Sequence, residues 1–109
     1  ITSATTTSIV TFTTTSNRVY TIEARFTVSN DTDDEGASFT LSASFKNVAG
    51  TVTQIGTAAL ITGFADANQS GLSANIDFSG TAIRARLTTD SADTVNANGA
   101  LKIYERVLA

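Results

Sequence analysis

The sequence predicts an all-β chain, a single antiparallel β-sandwich of jelly-roll-like character with about eight short strands and negligible helix. Three observations carry this expectation. Apolar and polar residues alternate at period two along several runs. Clusters of Gly, Asn, Asp and Ser punctuate those runs at regular spacing. No window repeats apolar residues at i, i+3, i+4 and i+7 between caps, and Thr and Ser dominate where a helix would want Leu. A small open barrel satisfies the same signals and is the alternative. The chain has 109 residues, room for one compact domain, so the strands must share one core.

Residues 1–17 are expected to form a connector and a first strand, because Ile1 to Thr15 is Thr-rich and alternates only weakly through Ile9 or Val10 and Phe12. The sandwich domain then spans 18–109. From Arg18 to Ser29 the residues Tyr20, Ile22, Ala24, Phe26 and Val28 share one parity, the pattern of a half-buried strand. Ala37 to Asn47 repeats it with Phe39, Leu41, Ala43 and Phe45 inward. The two runs pair as a long hairpin across the polar loop Asn30 to Gly36. Asn47 to Gly50 closes the second run before a short strand from Val52 to Ile55. Later runs hold Leu72, Ala74, Ile76 and Phe78, then Ile83, Ala85 and Leu87, with Ser79-Gly80 as the turn between them. Leu60-Ile61 and the final run Leu101 to Leu108 are apolar on both parities, as in strands covered on both faces. Asn98-Gly99 marks either a hairpin or a bulge within the last strand. Parity assigns Tyr20, Ile22, Phe26, Phe39, Leu41, Phe45, Ile76, Phe78, Ile83 and Leu87 to the core.

What is missing limits the chemistry. The chain has no His, Cys, Met, Trp or Pro. Without His or Cys there is no Ser-His or Cys-His nucleophile, no imidazole or thiolate zinc site, and no haem or iron-sulfur ligation. A net charge of -3 opposes nucleic-acid binding, and no apolar run approaches the roughly 20 residues of a membrane span. We therefore expect a soluble binding or building module that is no enzyme, holds no cofactor or metal, contacts no nucleic acid and inserts in no membrane. With no initiator Met and no basic n-region before an apolar segment, the chain is expected to be a processed product or a piece of a longer polypeptide.

Four motifs are weighed on that background. Asp31 to Gly36 sets oxygen ligands at alternate positions before a Gly, as a calcium loop begins. Its twelfth position would be Ser42, on a strand, so the expectation is an exposed acidic hairpin loop. Asp77, Asp90, Asp93, Glu23 and Glu105 supply carboxylates, but no spacing selects an acid and base pair. Arg84 and Arg86 share one outward face, where a phosphate or acidic sugar fits, yet a cross-strand ion pair with Glu23, Glu105 or Asp77 is the expected use. Asn30 to Thr32 and Asn68 to Ser70 are formal glycosylation sequons expected to be chance matches.

At Val19 to Arg25, the Asp-rich turn after it, and the Ala37 to Asn47 strand, the chain resembles a recurrent module of tailed-bacteriophage fibre proteins. Such modules run from a Tyr-x-Ile/Val-Glu-Ala strand through an Asp- and Gly-containing turn into an Ala-rich strand ending in Lys or Arg, then Gly-Thr-Val. Here the last parts stand as Lys46 to Val52 and Ile55-Gly56-Thr57, and the likeness extends over residues 18 to 107. The module's usual Gly is replaced around Thr88 to Asp90, and its usual Trp by Ala97. The resemblance implies a β-sandwich virion accessory or structural domain, assembled as a parallel homotrimer, with a place in a tail fibre or spike, contacts to other virion proteins and a role at the host surface and its glycans. Small capsid-decoration proteins of the cement or head-fibre type share this Thr-rich, Cys-free style, so both locations in the virion stay open. A free carbohydrate-binding module is the third reading, with only Tyr20 and Tyr104 as tyrosines and no Trp to build a sugar platform.

A Cys-free domain with six Phe and no Trp has a thin core, so self-association is expected to supplement it. The apolar residues left after the core is assigned are the candidates: Ile9, Val10, Phe12, Leu60, Ile61, Phe64, Tyr104 and Leu108.

Overall fold

Period-two patterning becomes seven strands in the computed structural model, which describes residues 5–89 and 93–108. They are β1 Thr6–Thr13, β2 Arg18–Asn30, β3 Glu35–Val48, β4 Thr51–Ala65, β5 Ser73–Ser79, β6 Ala82–Thr88 and β7 Val95–Val107, with one 3-10 turn at Ala67–Gln69. Two sheets form, in the orders β1-β6-β5 and β4-β3-β2-β7, and every pairing is antiparallel. The chain is a β-sandwich of two separate sheets, the first of the two architectures the alternation allows. It changes sheet after β1, β4 and β6, so the first strand is part of the sandwich itself and pairs with β6. Residues 1–4, at the head of the expected connector, lie outside the described residues.

The β2–β3 hairpin forms in the expected register, with Phe26 opposite Phe39 and Tyr20 opposite Phe45. Tyr20, Ile22, Phe26, Phe39, Leu41, Phe45, Ile76, Ile83 and Leu87 are buried, each contributing about 1.5–3 kcal/mol of apolar transfer for the larger side chains. Phe78 keeps the inward parity, opposite Ile83, but is 37% exposed and not buried as expected. It lies beside the Ser79-Gly80 turn at the end of an edge strand, where its ring meets Phe45 edge-on at 6.1 Å and stays partly open to solvent.

Three further expectations are corrected. The runs Val52 to Ile55 and Leu60-Ile61 belong to one strand, β4, which is why seven strands replace eight. Register shifts opposite Thr40/Leu41 and Ser42/Ser44 bend it, and Gly56 supplies φ 74° for one of them. Leu60 pairs with Leu41 and Thr62 with Thr40, so Ile61 is the extra residue. A bulge, not burial on both faces, produces the double parity: Leu60 and Ile61 are about three-fifths exposed, at 59% and 61%. The last strand is likewise an edge, with Leu101 and Ile103 against the core but Tyr104, Val107 and Leu108 exposed. Asn98-Gly99 is neither hairpin nor bulge, since both residues stand in unbroken register opposite Thr27 and Phe26.

Paired polar groups close one end. Asn47 is buried, donates to Thr14 Oγ1 at 2.9 Å and accepts from the Gly50 N–H at 3.0 Å. Thr14 Oγ1 donates to the Thr81 carbonyl, and the Tyr20 hydroxyl accepts from the Thr15 N–H at 2.8 Å, anchoring the β1–β2 link. The adjacent β3–β4 turn has positive φ at both Ala49 (52°) and Gly50 (89°), the type I′ geometry that favours Asn-Gly. Ala49→Asn is therefore expected to raise unfolding stability by about 0.5–1 kcal/mol, read by urea denaturation. An unchanged midpoint would show that Ala49 carries no conformational cost there.

Candidate functional site

The outer face of the four-stranded sheet is set by the register. Reading across β4, β3, β2 and β7, its rows are Thr53, Lys46, Val19, Arg106; Ile55, Ser44, Thr21, Tyr104; Ala59, Ser42, Glu23, Lys102; Thr62, Thr40, Arg25, Ala100; and Phe64, Ser38, Thr27, Asn98. Three kinds of surface result from period two. The β4 column is uncharged and largely apolar, β3 offers hydroxyls from Ser38 to Ser44 and one charge at Lys46, and β2 with β7 carries the other charges. Lys102 Nζ sits 5.2 Å from the centre of the Tyr104 ring. Its pKa is raised by its interactions with Tyr104 first, and then by the charge of Glu23. A shallow depression beside it is lined by Glu23, Arg25, Ala100, Leu101 and Lys102.

The outer face of the three-stranded sheet holds the arginine pair. Arg84 clamps Asp77 bidentately, at 2.8 Å through Nε and 2.9 Å through Nη2, and Arg86 Nη1 reaches the same carboxylate at 3.4 Å. The hydrogen bond to Asp77 raises the Arg84 pKa further. Of the three expected partners the structure thus selects Asp77, directly opposite Arg84. The Nε of Arg86 is buried with no hydrogen-bond acceptor.

The acidic loop is organised around two buried amides. Asn30 Nδ2 donates to Gln69 Oε1 and to Asp93 Oδ2, both at 3.0 Å, and more weakly to Asp33. Gln69 Nε2 donates to Glu35 at 2.9 Å and Asp33 at 3.2 Å, while Asn30 Oδ1 accepts the Thr32 and Asp33 N–H groups. Asp33 and Glu35 are thereby turned toward amide donors, and Ser42 stands in mid-strand opposite Glu23. Asp66 bonds the Gly36 N–H, and Asp31 accepts from Asn96. Among the described residues no three His, Cys, Asp or Glu side chains are grouped to hold a metal ion. Burial of Asn30 also closes its sequon, whereas Asn68 is exposed. Period-two reading missed this hub, although a signal existed: Asn30 and Asn47 continue the core parities of β2 and β3 with polar side chains.

The other carboxylates are dispersed. Glu105 pairs with Arg18 at 2.6 Å, Glu23 faces Lys102, and Asp77 and Asp93 are engaged as described; Asp90 lies outside the described residues.

The self-association candidates separate into three groups. Ile9, Val10 and Phe12 pack on the core, with Phe12 edge-on to Tyr20 at 5.5 Å, so they are not left over after the core is assigned. Leu60, Ile61 and Phe64 expose their side chains along the β4 edge, with Phe64 at 68%. Tyr104 and Leu108 sit at the opposite edge of the same sheet, beside exposed Val107. Comparison with protein-family models, with curated proteins and with solved structures finds no match to this chain.

Proposed function

We propose that this chain is a structural module of a tailed-bacteriophage virion, a β-sandwich of a tail fibre or spike that works as a homotrimer and takes part in host attachment. The observation that carries the assembly part is β4. A 15-residue edge strand without one charged residue leaves Leu60, Ile61 and Phe64 in water. The bulges of β4 interrupt its edge but leave these side chains uncovered, and exposed apolar edges drive association; a partner is the cover that also stabilises the fold. The resemblance over residues 18 to 107 supports the virion part. Capsid decoration is the second reading, served by the same exposed edge. Neither reading includes a catalytic step or a cofactor.

Sedimentation velocity at micromolar concentration tests the assembly. The expected result is a species of three chains, converted to folded monomer by Leu60→Ser with Phe64→Ser. A wild-type chain that sediments as a stable monomer would sink the trimer. Gold-labelled antibody on phage particles separates the locations, with label on the tail for a fibre and on the head for decoration. Label on neither rejects both.

A further inference from the structure

We infer that copies of this chain join edge to edge, with β4 of one protomer beside β7 of its neighbour, so that the four-stranded sheets continue around a closed ring. This rests on the self-assembly reading above and names its interface. β4 and β7 are the two open edges of one sheet, and each exposes apolar side chains: Leu60, Ile61 and Phe64 on one, Tyr104, Val107 and Leu108 at the other. Every hydrogen-bonded pair across β4-β3-β2-β7 is antiparallel, so β4 and β7 run in opposite directions. A neighbour generated by rotation about an axis along the strands therefore presents its β7 antiparallel to β4, and the alternation of the sheet is kept. A closed ring of three or more copies needs such a heterologous contact, in which two different surfaces meet.

Charge selects among the pairings. β4 has no charged residue, while β7 carries Lys102, Glu105 and Arg106. Pairing β7 with β7 about Tyr104 sets Lys102 of each copy against Arg106 of the other, and like charges across strands are unfavourable. Pairing β4 with β4 avoids that cost but closes a dimer, leaving Tyr104, Val107 and Leu108 in water. β4 against β7 covers both apolar edges with one kind of contact and opposes like charges in no register, because β4 has none.

Complementation tests this without knowledge of the register. Ile61→Lys with Phe64→Lys blocks β4, and Val107→Lys with Leu108→Lys blocks β7, since edge lysines oppose pairing. Each blocked protein alone is expected to sediment as a folded monomer, and an equimolar mixture as a two-chain species, because one intact β4 meets one intact β7 and the remaining edges repel. If the β7-blocked protein assembles like wild type, or the mixture stays monomeric while wild type assembles, the edge assignment fails and self-assembly stands. A monomeric wild type sinks both. Should either double variant melt early, Ile61→Lys and Val107→Lys singly carry the same test.

Discussion

Phe26→Ala is expected to lower unfolding stability by about 3–5 kcal/mol, the range for deleting a buried aromatic ring. Phe26 is 2% exposed and stands in the middle of β2, opposite Phe39 on one side and Gly99 on the other. A Cβ at Gly99 would lie 3.1 Å from two atoms of the Phe26 ring and 3.0 Å from Ile9 Cγ2. The ring thus lies over the space a side chain would fill on β7, and Ile9 reaches the same space from β1. Gly99→Ala is accordingly expected to cost about 1–3 kcal/mol by overpacking. The two effects should be coupled. In a Phe26→Leu background the cost of Gly99→Ala should shrink, since much of the clash is with the aromatic ring, and urea denaturation of the four proteins measures the coupling. Strictly additive costs would show that the ring is not what keeps position 99 a glycine.

That glycine also shows where sequence reading stops. The alternation of Tyr20 to Val28 against Phe39 to Phe45 is a local property of each strand, so the sandwich, the long hairpin and most of the core could be read without knowing which strands are neighbours. Asn98-Gly99 could not, because the reason for Gly99 is the ring of a residue far away in sequence. β4 was hidden for a different reason: its bulges change parity mid-strand, so one strand reads as two, and the surplus apolar residues look covered. Among the site candidates, Arg84 and Arg86 were legible as members of a cross-strand ion pair, but the choice of Asp77 over Glu23 and Glu105 needed the β5–β6 register. The eight self-association candidates were not separable, since parity marks an apolar residue but not the sheet that receives it. Ile9, Val10 and Phe12 face the core from β1, which pairs with β6 rather than with its sequence neighbour.

Asn30→Ala is expected to cost about 2–4 kcal/mol, more than one ordinary hydrogen bond, because it empties a hub that joins three loops. The Asn30 amide ties the β2–β3 turn to itself through Thr32 and Asp33, to the 3-10 turn through Gln69, and to the β6–β7 connection through Asp93. Deleting it leaves Gln69 Oε1, in a residue only 3% exposed, without this donor. It also removes the neutral donor shared by Asp33 and Asp93. Asn30→Asp is the sharper variant. It keeps the shape and the Oδ1 acceptor but replaces the donor with a carboxylate beside two others, so at neutral pH it should destabilise more than Ala. Protonation of that carboxylate restores a donor and removes a charge, so the deficit of the Asp variant relative to wild type should narrow as pH falls toward about 4. Thermal denaturation of wild type and both variants between neutral and mildly acidic pH gives the comparison. An Asp variant whose deficit is the same at both pH values would mean that the amide acts through shape alone, and that the acidic end does not depend on Asn30 to hold its carboxylates together.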